Sequence, residues 1–245
     1  QAEDGIRDLV RSRGLGDVYK RQIYNMPTIK NKTVLNATPG ASFKSVNHTT
    51  TAGSNRLLLV SCAMNRQRNF TSCTYNGVSM TQILAKDLGG MSTRVVIYQL
   101  VDPPLGTFAL RINFSGSVWN PISLYVQSFV NAQGGGNTLN LGGSSTPKTA
   151  SINVSDNSAI FCMAVSQSVI TGIQLPSGVT NTPIMFTHNI NKQVKAGLDN
   201  SFGAGNVSLR TISGSSNITL HAVEVKQSGP AQNVSGLLST MNFMF

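Results

Sequence analysis

The chain has 245 residues and a formal charge of +10, from 19 Lys and Arg against 9 Asp and Glu, yet only 11% of its residues are charged. With 40% hydrophobic residues, a mean hydropathy of -0.01 and no apolar run near the ~18 residues of a spanning helix, this composition argues against a helical membrane protein and a charged disordered chain. Three cysteines, Cys62, Cys73 and Cys162, without a C-x-x-C pair, argue against a disulfide scaffold, a zinc ribbon or a thioredoxin-type redox site.

The opening QAEDGIRDLVRSRGLGDVYKRQ, residues 1–22, holds nine charged residues and shares neither the strand alternation nor the Asn/Ser/Thr richness of the rest of the chain. QAEDGIRD resembles one reading frame of a flow-cell adapter, and SRGLGDVYKRQ resembles the same frame of a transposase-type library adapter, in order and in frame. Residues 1–22 therefore read as translated adapter sequence from a metagenomic assembly and carry no information about the fold. Two native starts are then open, Met26 or one lost at the contig edge. The segment MPTIKNKTVLNATPG that Met26 opens lacks the charged region and apolar stretch of a secretory signal, and residues 23–40 read as an N-terminal extension.

From about Asn25 onward the apolar residues recur with period two or in short solid runs bounded by Gly, Asn, Pro and Ser, which predicts strands and no helix. Strands are expected at 41–46, 56–64, 71–75, 78–85, 93–101, 107–114, 121–130, 149–154, 158–166, 183–188, 206–212 and 217–226. RLLLVSCAM (56–64) and SAIFCMAV (158–165) are solid apolar runs, as expected of central strands covered on both sides, with Cys62 and Cys162 as small buried hydrophobes. Phe108, Leu110, Ile112 and Phe114 alternate with Ala109, Arg111 and Asn113, the pattern of a half-buried antiparallel strand. Asn76-Gly77 predicts a type I′ hairpin turn, Asp102-Pro103-Pro104-Leu105-Gly106 a tight corner, and Leu88-Gly89-Gly90-Met91 a second hairpin end. The expected architecture is all-β: a single two-sheet antiparallel β-sandwich, jelly-roll or lectin-like, of about twelve strands over 41–227. The Gly-rich stretch Gly134–Gly143 reads as a loop or crossover inside that sandwich, and residues 228–245 as an apolar tail.

The succession SNRLLLVSCAMN, TSCTYNGVSMTQI, RVVIYQLVDPPLGTFALRINFSGS and ISLYVQSFVNA resembles a recurrent β-sandwich module, jelly-roll or concanavalin-like, of tailed-phage virion proteins and bacterial surface proteins. The strand NITLHAVEVK before the tail fits the same pattern, so the resemblance spans about residues 40–227. It implies a fold and a setting on a virion or cell surface. The matching motifs are turn and core positions, and they imply no catalytic residue, metal site or cofactor. Gln133-Gly134-Gly135 stands where many members carry an acidic turn, which weakens the expectation of a bound cation there.

The chemistry-bearing residues are sparse. Past residue 22 the acids are Asp87, Asp102, Asp156, Asp199 and Glu224; Asp102 and Asp156 read as turn formers, leaving no visible carboxylate pair for glycoside hydrolysis. His48, His188 and His221 are isolated, without metal-ligand spacing, and neither G-x-S-x-G nor a phosphate-binding G-x-x-x-x-G-K-S/T occurs. No enzyme activity is expected. Arg66 and Arg68, with Arg56 and Lys44, are the nearest thing to a basic cluster. Trp119 has no basic cluster beside it in sequence, so nucleic acid is not the expected partner; solvated strand faces, or a weak contact with acidic cell-surface glycans, are the expected reading of the basic excess. Nine N-x-S/T sequons follow from the Asn/Ser/Thr composition.

Two function classes remain. One is a non-enzymatic virion or tail-associated structural module, binding other subunits or copies of itself, with the tail (Phe243, Phe245) packed on its own sandwich or docked into a neighbour. The other is a carbohydrate-binding or adhesion module of a surface protein, which would present aromatic rings to glycans; Trp119, Tyr98, Tyr125 and Tyr75 are the candidates.

Overall fold

A computed structural model describes residues 26–65, 68–88, 93–143, 149–155, 157–166, 170–174, 180–181, 184–187, 193–202, 205–213 and 218–228. The adapter-like segment 1–22, the tail 229–245 and the Gly89-Gly90 hairpin end lie outside these residues. All regular structure among them is antiparallel strand, in agreement with the all-β sandwich expectation.

The first nine strands are β1 (Thr28–Ala37), β2 (Phe43–Thr50), β3 (Leu57–Asn65), β4 (Phe70–Tyr75), β5 (Val78–Ser79), β6 (Thr81–Leu88), β7 (Thr93–Val101), β8 (Gly106–Phe114) and β9 (Ile122–Val130). They form an inner sheet, β1-β9-β3-β7-β6, and an outer sheet, β2-β8-β4-β5. The next nine are β10 (Ala132–Gly143), β11 (Thr149–Val154), β12 (Ser158–Ser166), β13 (Ile170–Gln174), β14 (Thr180–Asn181), β15 (Ile184–Thr187), β16 (Gln193–Phe202), β17 (Gly205–Ser213) and β18 (Ile218–Gln227). Their sheets, β10-β18-β12-β16-β15 and β11-β17-β13-β14, repeat the first two with every strand number raised by nine.

The described chain is thus two copies of one nine-strand plan, in four sheets and eighteen strands where two sheets and about twelve strands are expected from the sequence. The repetition extends to register. Leu57 faces Phe129 and Met64 faces Ile122 in the first unit, while Ala159 faces Val225 and Ser166 faces Ile218 in the second. It extends to irregularities as well. β1 bulges between Ile29 and Lys32 and β10 between Gly135 and Thr138; β4 shifts between Phe70 and Ser72 and β13 between Ile170 and Gly172. At each first-strand bulge an asparagine ties the two sheets of its unit together. The Asn31 amide donates to the Thr49 carbonyl at 2.9 Å, and the Asn137 amide to the Asn153 carbonyl at 2.8 Å. Such bulges bend a strand and re-aim its groups, so their recurrence marks a shared design.

Apolar clusters set the layer order. Even-numbered residues of β3 and β9, such as Leu58, Val60, Leu124 and Val126, pack against Tyr75, Leu110 and Ile112 of the first outer sheet. Ile160, Cys162, Leu220 and Ala222 pack likewise against Ile152 and Leu209 of the second. The odd-numbered faces meet each other: Leu57, Leu59, Ile97, Tyr125 and Phe129 form one core with Phe161, Met163, Val165, Val223 and Val225. The order is outer, inner, inner, outer. This accounts for the solid apolar runs of β3 and β12, which are covered on both faces.

Two local readings change. Residues 28–37, within the expected N-terminal extension, form β1 paired to β9; their many polar residues suit an edge strand, and so carry no strong apolar alternation. Gly134–Gly143 is no loop or crossover: it lies within β10, the first strand of the second unit. Its glycines reflect close approach. A Cβ on Gly135 would lie 3.0 Å from Ile83 Cδ1, and one on Gly136 would overlap the Glu224 carboxylate. Gly136→Ala is expected to cost about 1–3 kcal/mol by overpacking, read as a shift in urea midpoint; an unchanged midpoint would remove this reason for the glycine.

The turns follow their chemistry. Asn76 and Gly77 both have positive φ, 50° and 78°, as the type I′ turn requires. The corner at Asp102 is held by its ion pair with Arg56 and by the Asp102 N–H donating to the Arg56 carbonyl at 2.8 Å. The two units are joined by a single residue, Asn131, in the left-handed region at φ 57°. Its carbonyl accepts from Ser228 N–H at 3.0 Å, so the last described residue closes back onto the junction.

Candidate functional site at one end of the first unit

The structure separates the aromatic candidates. Tyr98 is 3% exposed and Tyr125 4%, and Tyr75 is fully buried, whereas Trp119 is 66% exposed. The reason is strand parity and layering: Tyr98 points into the core between the first unit's two sheets, and Tyr125 into the core between the inner sheets, stacked on Phe161 at 5.4 Å and 17°. Burial pushes the Tyr98 phenol up to about 12. The Tyr75 hydroxyl lies 3.0 Å from the His48 carbonyl and 2.9 Å from that of Gly106. These three tyrosines are core residues, and they present no platform to a sugar.

Trp119 lies in the β8–β9 connection, residues 115–121. The corresponding β17–β18 connection, 214–217, is three residues shorter, so Trp119 falls where the two units differ. The Arg68 guanidinium carbon lies 4.9 Å from the Trp119 ring centroid, a cation–π distance, and Arg68 Nε donates to the Ser117 carbonyl at 3.2 Å. Asn69 and Ser115 fasten the same two segments, Ser115 N–H to Asn69 carbonyl and Asn69 N–H to Ser115 Oγ, both 3.0 Å. Arg66, the other basic candidate, lies outside the described residues. Arg56 is committed to the Asp102 corner, away from this cluster.

A groove of about 550 Å³ opens beside Arg68, lined by Asn69, Phe70, Gln82, Ala85, Lys86, Asp87 and Arg94. Arg94 is its organiser. Its guanidinium forms a two-point ion pair with Asp87, Nη2 to Oδ2 at 2.6 Å, and Nη1 reaches the Arg68 carbonyl at 3.0 Å and the Asn69 side-chain oxygen. The hydrogen bonds it donates to the Asp87 carboxylate hold the Arg94 guanidinium still more firmly protonated. One buried-edge arginine thus ties β6, β7 and the β3–β4 connection together and neutralises the groove's carboxylate, so Lys86 sets its net charge. None of Asn69, Gln82, Lys86 and Arg94 stands out in the sequence, because they come from three separate segments of ordinary polar composition.

The remaining ionisable groups serve the fold. Glu224, fully buried, accepts from the Ser155 N–H at 2.5 Å, the Ser158 hydroxyl at 2.9 Å and the Asn137 N–H at 3.0 Å. Burial alone would raise its pKa, but these donors outweigh that and hold it below the ordinary carboxylate value. The same place in the first unit is filled by Ser128, whose hydroxyl accepts from Asn31 N–H at 3.1 Å. Cys62, Cys73 and Cys162 are buried and in no disulfide; burial pushes Cys73 up to about 12, which removes the reactive thiolate. Asp156 and His188 lie outside the described residues. Among the described residues no three His, Cys, Asp or Glu side chains come together as a metal-ligand set.

Two buried histidines make folding pH-dependent. His48 bonds Thr33 Oγ1 through Nδ1 at 2.8 Å but leaves Nε2 without a partner, and neither nitrogen of His221 has one. Burial lowers both to about 4, with the Lys86 charge a further cause at His221. Unfolded histidine titrates near 6.5, so each neutral imidazole contributes stability fully above that value and loses it as pH falls from about 6.5 through about 4. The expected loss is roughly 3 kcal/mol for each ring. Denaturant midpoints measured from pH 8 to 4 should fall across this window, and His221→Phe should flatten the fall; an unaltered profile in the variant would contradict the assignment.

Comparison with family models and with curated proteins gives no match. No helix among the described residues is long and apolar enough to cross a membrane.

Proposed function

We propose that this chain is a non-enzymatic structural and attachment module of a phage virion or tail, assembling with other subunits or with copies of itself at the particle surface. The observation that carries this reading is how the fold distributes its polarity. Two inner sheets consume the apolar faces, leaving each outer sheet with an exposed lattice of short polar side chains: Ser45, Asn47 and Thr107 in the first, Thr149, Ser151 and Asn206 in the second. Cross-strand bonds such as Thr49 to Thr107 at 2.7 Å and Asn113 to Ser72 at 2.9 Å make the first lattice rigid. The sequence resemblance to virion β-sandwich modules supports the same reading. Mass spectrometry of density-purified, DNA-containing particles and of cell envelopes from one sample tests it. Peptides of this chain should co-purify with the particles, and their confinement to the envelopes would favour the second reading.

That second reading, a carbohydrate-binding or adhesion module of a bacterial surface protein, is supported by one observation, the exposed Trp119 paired with Arg68.

A further inference from the structure

We infer that the Trp119 loop and the adjoining groove form a binding site for an acidic oligosaccharide, one carrying uronate-type carboxylates. This deepens the carbohydrate-binding reading, on which it rests, by naming the class of sugar, and it is independent of the proposed structural role. The two units share strand order, register and bulges, so a shared scaffold accounts for what they have in common. Trp119 sits on the connection that only the first unit lengthens, and a 66% exposed Trp is not there to fill a core. Arg68 links it to the groove: its side chain stacks on the Trp119 ring while its carbonyl and the neighbouring Asn69 are held by Arg94 in the groove wall.

The groove's chemistry matches a sugar acid. An indole ring offers a flat apolar surface to the C–H face of a pyranose, and the Asn69 and Gln82 amides can bond vicinal hydroxyls both as donors and as acceptors. Asp87 is neutralised by Arg94, so the net positive charge of the groove that meets a carboxylate comes from Lys86. A second aromatic–guanidinium pair, Arg111 over Phe43 at 3.8 Å, lies close in the chain to the Gly40–Ala41 segment that pairs with Val118 beside Trp119. Single-stranded nucleic acid fits less well, since it requires successive stacking rings along a basic track.

The test is isothermal titration of the full chain with an oligogalacturonate, its carboxyl-reduced neutral counterpart and an oligo(dT) of similar length. Oligogalacturonate should bind, and more tightly than the reduced form. Trp119→Ala should weaken it by roughly tenfold, with Trp119→Phe recovering part of the loss. Lys86→Gln should remove most of the preference for the acidic form and flatten the salt dependence. Trp119 and Lys86 are exposed, so both variants keep the fold, checked by unchanged urea midpoints. Absence of binding to oligogalacturonate at low salt, an affinity untouched by Trp119→Ala, or tighter binding of oligo(dT) would each overturn the inference. None of these outcomes bears on particle co-purification, so failure here is separable from failure of the structural role.

Discussion

Phe161→Ala is expected to lower the unfolding free energy by about 3–5 kcal/mol, the range for deleting a large aromatic side chain from a packed core. Phe161 is fully buried in the layer where the two inner sheets meet, stacked on Tyr125 and surrounded by residues of both units. Its loss opens a cavity between sheets pinned by regular ladders on either side, so little collapse can fill it. The effect should exceed that of a core truncation inside the second unit alone, such as Ile152→Ala, because the Phe161 layer joins the halves. Urea titration followed by Trp119 fluorescence and by far-ultraviolet circular dichroism gives the measurement. A loss under about 1 kcal/mol would mean that this layer is not a packed core.

Glu224→Ala should cost a comparable about 3–5 kcal/mol, for a different reason. The substitution removes the acceptor of three donors, the N–H groups of Asn137 and Ser155 and the Ser158 hydroxyl, in a place where water cannot easily replace it. The first unit supplies an internal comparison. Ser128, at the matching position, serves the matching bulge with one hydroxyl, so Glu224→Ser should recover the bond to Asn137 and leave the cost between those of wild type and alanine. The wild-type contribution is also pH-dependent. A carboxyl held below its ordinary value stabilises fully above the usual carboxylate range and loses that contribution as pH falls through its depressed folded-state value. The Glu224→Ala protein should therefore converge on wild type at low pH. A gap that stays constant from pH 7 down to pH 3 would assign the effect to packing instead.

Many strands of both units were legible because they obey simple periodicities. The alternation of β8, the solid runs of β3 and β12 and the Asn76-Gly77 turn all express local rules, and the structure realises each. β1 and β10 escaped the same rules. An edge strand needs little apolar content, and β10 is glycine-rich where Gln99, Ile83 and Glu224 press against its backbone, a tertiary cause invisible along the chain. The repeat did leave traces. Gly106-Thr-Phe-Ala-Leu-Arg111 and Gly205-Asn-Val-Ser-Leu-Arg210 share glycine, leucine and arginine at the same spacing, and Ile122-Ser-Leu124 matches Ile218-Thr-Leu220. Both opening glycines have positive φ, 123° and 136°, which explains why that residue recurs while the strands around it diverge.

The candidate site was legible only in part. Trp119 and Arg68 are single residues in loops, and their meeting depends on how the 68–70 and 115–119 segments are tied together at 3.0 Å. Tyr98 and Tyr125 looked equivalent to Trp119 as rings. Tyr98 is covered by the first unit's own outer sheet, and Tyr125 by the second unit packing on the first. In a lone two-sheet sandwich Tyr125 would face solvent; here it faces Phe161.

The meeting of the two inner sheets underlies the proposed structural role and the burial of Tyr125. Nuclear Overhauser contacts between the aromatic protons of Tyr125 and Phe161, whose ring centroids stand 5.4 Å apart, test it most directly. In the full chain, specifically labelled at tyrosine and phenylalanine, the four-layer order predicts strong ring-to-ring cross-peaks between these residues of different units. Tyr125 cross-peaks confined to residues 26–130, with the Phe161 ring exposed to solvent, would contradict it.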